Sequence, residues 1–260
     1  MRLLSCVLCC ALVTTIARGD DPKPAWTTIK GRVMFPEGKE IPKRAELNVN
    51  QDKQHCLGKG AILDESVIVN PKNRGVKNVV VFLRPLDPKD KEFKPAEIHP
   101  ADAKRKPQEV AIDQPCCMFV SRVTVARVGD TLVVKNPSPV AHNFFWASEK
   151  NGDFNVNIPV GQTWTMPNAL AAESRTVQYK CTIHPWMTGY VRVFDHPYYA
   201  VTDADGNFEI QSAPAGQFRI VFWHEAVGTR GGAEGRFGEP IQIAGGTMEM
   251  KATDFDVSPR

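Results

Sequence analysis

The chain has 260 residues, 42% of them hydrophobic and 23% charged, with a formal net charge of +3. That is enough apolar material for a real core and more chain than one small β-module needs, so two packed units are the expectation. The near-neutral balance offers no field for a polyanion, and a nucleic-acid partner is not expected.

The N-terminus reads Met1-Arg2, then an apolar run from Leu3 to Ile16, then Ala17-Arg18-Gly19. Small residues at the −3 and −1 positions mark residues 1–19 as a cleaved signal peptide, which implies a periplasmic or secreted protein. As a membrane anchor the run falls short of the ~20 apolar residues a span needs. It is also interrupted by Ser5, Thr14 and Thr15, so stable membrane insertion is not expected. Lipidation at Cys9 or Cys10 is disfavoured because too little apolar chain precedes them. Four cysteines follow the leader: Cys56, Cys116, Cys117 and Cys181. An oxidising compartment favours one disulfide, from Cys56 to Cys116 or to Cys117. If Cys181 binds a metal, one thiol is left over, which is either buried and inert, the commoner case, or joins His55 in a second metal site.

Strand-like runs rich in β-branched and aromatic residues follow one another, separated by turn signals: 28–35, 45–50, 66–70, 76–84, 119–128, 131–136, 142–147, 154–158, 162–166, 175–181, 189–194, 207–211 and 217–223. They predict an all-β protein made of sandwiches or barrels. Residues 85–107, rich in Pro, Lys and Asp, read as a long exposed loop, and residues 167–173 allow one helical turn at most. Strict alternation in Val177-Gln178-Tyr179-Lys180-Cys181 puts Val177, Tyr179 and Cys181 on one face.

The two ends of the chain belong together. Ile29-Lys30-Gly31-Arg32-Val33 and Gly75 to Leu83 come early, and Thr202-Asp203-Ala204-Asp205-Gly206-Asn207-Phe208 and Ala215 to Ile220 come late. Joined, these pieces resemble the transthyretin-like β-sandwich of carboxypeptidase regulatory domains. The metal-ligating motifs lie between them. The expectation is a first part of this sandwich over 20–112, a separate unit over 113–196 inserted into it, and its second part over 197–260; three consecutive modules are the alternative.

The strongest chemical signal is Tyr179-Lys180-Cys181-Thr182-Ile183-His184-Pro185-Trp186-Met187, with a thiolate, an imidazole and a thioether in seven positions at a strand end. This is a soft donor set. A second imidazole is supplied by His142, which opens the strand after Val128-Gly129-Asp130 to Asn136. Two His, one Cys and a weak axial Met are the ligands of blue-copper electron-transfer sites. His196 and His224 lie among aromatic residues and read as hydrogen-bonded structural imidazoles; His55 and His99 have no stronger claim. Trp186 and Pro185, in the ligand loop, are candidates for partner docking, and at least two of Phe144, Phe145 and Trp146 are expected in the core.

Gly129-Asp130, Asn136, His142-Asn143, Cys181, His184 and Met187, followed by Gly189-Tyr190-Val191, resemble the cupredoxin family of the plastocyanin and pseudoazurin type over about 80 residues. The wider pattern, with Asp195-His196-Pro197-Tyr198 and Trp223-His224-Glu225, is similar to bacterial exported cupredoxin-containing proteins related to methylamine utilisation. The resemblance implies a Greek-key β-sandwich holding one type 1 copper through His142, Cys181, His184 and Met187, with Asn143 tying the ligand strands together. It departs in one place: Met187 comes three residues after His184, where plastocyanin-type loops place it five later.

A fully protein-ligated copper carries electrons rather than activating substrate, so the expectation is an electron carrier, not an enzyme, serving an unidentified redox protein and acting as a monomer. His184 is the expected electron exit, near the surface. Six histidines without a His-x-His pair cannot build a trinuclear oxidase cluster. The rival readings are a copper chaperone or store, and a structural or carbohydrate-associated sandwich.

Overall fold

The computed structural model describes residues 25–258; the signal-peptide expectation lies outside them. The protein is all-β. Its strands are β1 (Trp26–Met34), β2 (Val80–Pro85), β3 (Glu109–Asp113), β4 (Val123–Arg127), β5 (Thr131–Lys135), β6 (His142–Trp146), β7 (Phe154–Ile158), β8 (Thr163–Thr165), β9 (Val177–Lys180), β10 (Thr188–Phe194), β11 (Tyr199–Val201), β12 (Asn207–Pro214), β13 (Gly216–His224), β14 (Gly228–Thr229), β15 (Glu239–Ile243), β16 (Gly246–Glu249) and β17 (Thr253–Asp254). Three single α-helical turns, α1 (Lys53–Cys56), α2 (Pro100–Ala103) and α3 (Gly232–Gly235), and a 3-10 turn over Pro95–Glu97 accompany them among the described residues. Among the described residues no helix is long and apolar enough to cross a membrane.

The strands sort into two pairs of sheets. β1 pairs with β12, β16 and β17, and β2 lies between β11 and β13, which also carries β14 and β15. Between these early and late strands, β3 to β10 pair only with one another, as β4-β10-β9-β6-β7 and β3-β5-β8. Because β3 runs parallel to β5, this second set starts at Glu109, a few residues ahead of the sequence-based boundary. Residues 45–50 and 66–70 form no strand; they make the single bridges Glu46 to Leu63 and Val69 to Val76, although Val49, Val67 and Val69 are buried. Residues 85–107 are mostly exposed, yet Phe93 reaches back to stack on Phe218, with ring centroids 5.6 Å apart.

Each pair of sheets encloses its own core. Ile29, Val33, Val81, Leu83, Phe208, Ile210, Phe218, Ile220 and Phe222 fill the first. Ile112, Leu132, Val134, Phe144, Trp146, Tyr179, Val191 and Val193 fill the second. A third cluster lies where the two units meet, made by Val80 and Phe82 of β2, Val221 of β13, Val123 of β4 and Phe194 of β10. The unbroken apolar run Val79 to Leu83 follows from this arrangement. Side chains alternate across a strand, so Val81 and Leu83 enter one core while Val80 and Phe82 enter the seam, and both faces must be apolar.

Two glycines are required by close approach. At Gly189 an added Cβ would lie 2.4 Å from the ring of Tyr179, which covers it from the opposite strand. Gly206, at φ +80, closes the Asp203–Asn207 turn; a Cβ there would lie 2.2 Å from the Val33 carbonyl oxygen.

The seam also buries an ion pair. Arg122 donates from Nε and Nη2 to the two carboxylate oxygens of Glu225, each at 2.6 Å, with side chains 10% and 2% exposed. Truncating one partner of such a pair leaves an unmatched buried charge and costs about 3–5 kcal/mol. Glu225→Ala is therefore expected to lower unfolding stability by that order in denaturant titrations, and the double replacement Arg122→Met/Glu225→Leu is expected to recover most of it.

Candidate metal centre

Strand register brings the predicted ligands together. β6 and β9 are antiparallel neighbours with Phe145 opposite Lys180 and Trp146 opposite Tyr179. Extending that register sets His142 beside the loop that follows Cys181, and side-chain alternation turns His142, Phe144 and Trp146 to the same core as Tyr179 and Cys181. Asn136 shapes the approach to His142. Its amide donates to the carbonyls of Val140 and Ile158 at 2.9 and 2.8 Å, and its oxygen accepts from Ser138 N and Oγ.

The 181–187 loop is closed by its own backbone: Met187 N donates to His184 O at 2.9 Å and Cys181 N to Met187 O at 3.1 Å. Asn143 binds the loop to β6. Its backbone N–H donates to Cys181 Sγ at 3.3 Å, and its side-chain oxygen accepts from Thr182 N and Oγ1. Its amide in turn donates to Asn155 Oδ1 of β7 at 2.7 Å.

His142 Nδ1 stands 3.0 Å from His184 Nδ1, and Cys181 Sγ is 3.8 Å from the same nitrogen. All three side chains are 0% exposed. The ligand atoms of His142, Cys181 and His184 all lie within 4.8 Å of one another, close enough to share a single cation. Nδ1 and Sγ atoms converge here, and a thiolate with two imidazoles is the donor set that suits copper or zinc. Burial, reinforced by His184 and then by His55, lowers the pKa of His142 to about 4, which keeps its ring neutral and able to donate a lone pair. Met187 is 1% exposed and packs in the same core as Cys181.

The expectation that His184 forms a surface edge is corrected. It is fully buried, because α1 lies over it and Asp52 Oδ2 sits 2.9 Å from its Nε2. Trp186 is half-buried, 5.1 Å from the His184 ring, and donates its indole N–H to Cys117 O at 3.1 Å; Pro185 is exposed. Phe144 and Trp146 are in the core and Phe145 is partly exposed.

The disulfide joins Cys56 to Cys117, and both sulfurs lie within 4.8 Å of a His184 ring nitrogen. Cys116 stays a half-buried thiol. It lines a cavity of about 550 Å³ with His55 and Met118, but the His, Cys, Asp and Glu donors there do not converge on one point as those of the buried centre do. His196 and His224 accept backbone N–H groups from Tyr198 and Ala226 through Nδ1. Burial lowers their pKa values to about 3 and about 4. Neither belongs to a group of metal-donor side chains that converges on one point among the described residues. Asp52 was the residue sequence reasoning missed. It precedes Cys56 by four positions but lies 132 residues from His184, and no periodicity or motif links the two.

No family model and no curated protein matches the chain. Among solved structures it is similar to a purple cupredoxin from Nitrosopumilus maritimus, at 21% identity and a TM-score of 0.28, over 32% of this chain and 98% of that one. It is also similar to the reduced state of an amicyanin variant, at 25% identity and 0.29, over 40% of this chain and 100% of that one. A copper-containing nitrite reductase from Thermus scotoductus SA-01 matches at 20% identity and 0.31, over 35% of this chain and 23% of that one.

The disulfide closes a loop of 61 residues, for which chain entropy predicts about 4 kcal/mol of stabilisation. Cys56→Ser/Cys117→Ser is expected to lose a stability of that order in denaturant titrations, and Cys116→Ser to lose little. An equal loss from Cys116→Ser would place the bond at the neighbouring cysteine.

Proposed function

We propose that this is an exported type 1 copper protein of the cupredoxin kind, carrying single electrons between redox proteins. In this reading residues 109–194 form a cupredoxin unit inserted into a transthyretin-like sandwich made by both ends of the chain. The observation that carries the proposal is the convergence of His142 Nδ1, Cys181 Sγ and His184 Nδ1 in a site without solvent access. Copper bound there would supply a one-electron couple, and Met187, buried in the same core, would be a fourth donor.

The residues suit that task. Packing and the Asn143 hydrogen bonds fix the three donors before any ion binds, so little reorganisation accompanies a change of charge. Core side chains exclude water and leave no open position for a substrate. Full burial and the Asp52 contact also favour retention of the ion over the ready exchange that a chaperone needs. With the His184 edge covered, the partner docks at the adjoining exposed Pro185 and half-buried Trp186, whose ring lies against His184.

The protein loaded with Cu(II) is expected to show an intense thiolate-to-copper charge-transfer band in the visible and a matching electron paramagnetic resonance signal. Both disappear in Cys181→Ser. A colourless protein that holds only Cu(I) would favour storage or delivery instead, and one that takes up no copper would leave the structural reading.

A further inference from the structure

We infer that Asp52 is a positioning residue for the metal centre: its carboxylate fixes the His184 imidazole with the proton on Nε2 and the lone pair on Nδ1, and biases the centre toward the more highly charged ion. The contact is direct, with Asp52 Oδ2 2.9 Å from His184 Nε2. An ionised carboxylate only accepts hydrogen bonds, so Nε2 must be the donor and Nδ1 the free nitrogen. Nδ1 is the atom that faces His142 Nδ1 and Cys181 Sγ. A carboxylate behind a ligating imidazole makes that imidazole a better donor.

Asp52 is held in place by a closed circuit of contacts. Its backbone takes the left-handed conformation, φ 45 and ψ 36, at the head of α1. Its carbonyl accepts from the N–H groups of His55 and Cys56 at 3.0 and 2.9 Å. Cys56 is then bonded to Cys117, and the carbonyl of Cys117 accepts the indole N–H of Trp186, two residues beyond His184. The brace therefore starts on the ligand loop and returns to it, which holds the Asp52 backbone beside the imidazole that its carboxylate contacts.

The two imidazoles differ in this respect. His142 Nε2 is buried and has no hydrogen-bond partner, while His184 Nε2 has the carboxylate. Loss of Asp52 removes a hydrogen bond from one ligand alone. The local negative charge favours Cu(II) over Cu(I), so its removal raises the reduction potential. Loss of such a supporting contact typically weakens metal binding about 10–100-fold. Each tenfold falling on Cu(II) alone corresponds to about 59 mV upward for a one-electron couple.

The test has two arms, and the second rests on the copper reading above. In the first, long-range proton–nitrogen correlation NMR of the metal-free full-length protein should show His184 as a single Nε2–H tautomer, and a mixture in Asp52→Ala. In the second, the potentials of copper-loaded Asp52→Asn and Asp52→Ala should rise, with Asp52→Glu returning toward wild type. Asp52→Asn preserves shape and an acceptor oxygen, so it isolates the charge if the alanine variant folds poorly. An Nδ1–H tautomer in the wild type, or potentials unchanged in folded variants, would overturn the assignment. A wild-type protein that takes up no copper would sink the copper reading and leave the tautomer to decide the role of Asp52.

Discussion

The antiparallel register of β6 against β9 is the constraint on which the centre depends. With Phe145 opposite Lys180, the inward set of one strand is His142, Phe144 and Trp146 and that of the other is Val177, Tyr179 and Cys181. A slip of one residue by either strand would turn that strand's set to the opposite face and separate the thiol from the imidazole. The register is secured on both faces. Phe144, Trp146 and Tyr179 pack inside, and outside the Lys180 ammonium sits 5.1 Å over the Phe145 ring. Asn143 adds a polar lock, joining β6, β7 and the ligand loop through one side chain.

The rest of the molecule supports that pair of strands from behind and from above. Behind it, β4 and β10 lie against β2 and β13 through an apolar seam closed by Arg122 and Glu225. Strands apolar on both faces cannot be left exposed, so the two units are held as neighbours by the same residues that build them. Above it, the 35–79 segment contributes the α1 turn, whose disulfide and Asp52 close the site. A chain segment outside the β3–β10 sheets thus supplies the cover of the site those sheets carry.

Much of this was legible in the sequence. Cys181, His184 and Met187 fall in one loop after a strictly alternating strand, so short-range spacing was enough to single them out. His142 was legible because it opens a strand after a turn. The seam left its mark in Val79 to Leu83, an apolar run without alternation. Other parts carried no local signal. β14 and β17 are two residues long, too short for any period, and β3 has a charged residue at each end. The 45–50 and 66–70 runs had the composition of strands, but the structure gives each only a single bridge. The choice between Cys116 and Cys117 turns on which side chain faces inward, and Cys117 is buried at φ 55, a conformation that composition does not reveal. The burial of His184 by Asp52 is a contact across 132 residues, beyond the reach of spacing.

X-ray absorption at the copper edge, recorded on the oxidised and the reduced protein, tests the central claim most directly. The account predicts two nitrogen donors and one short sulfur donor in both states, with distances that barely change on reduction. A shell of nitrogen and oxygen only, or a donor set that changes when the electron is added, would contradict it.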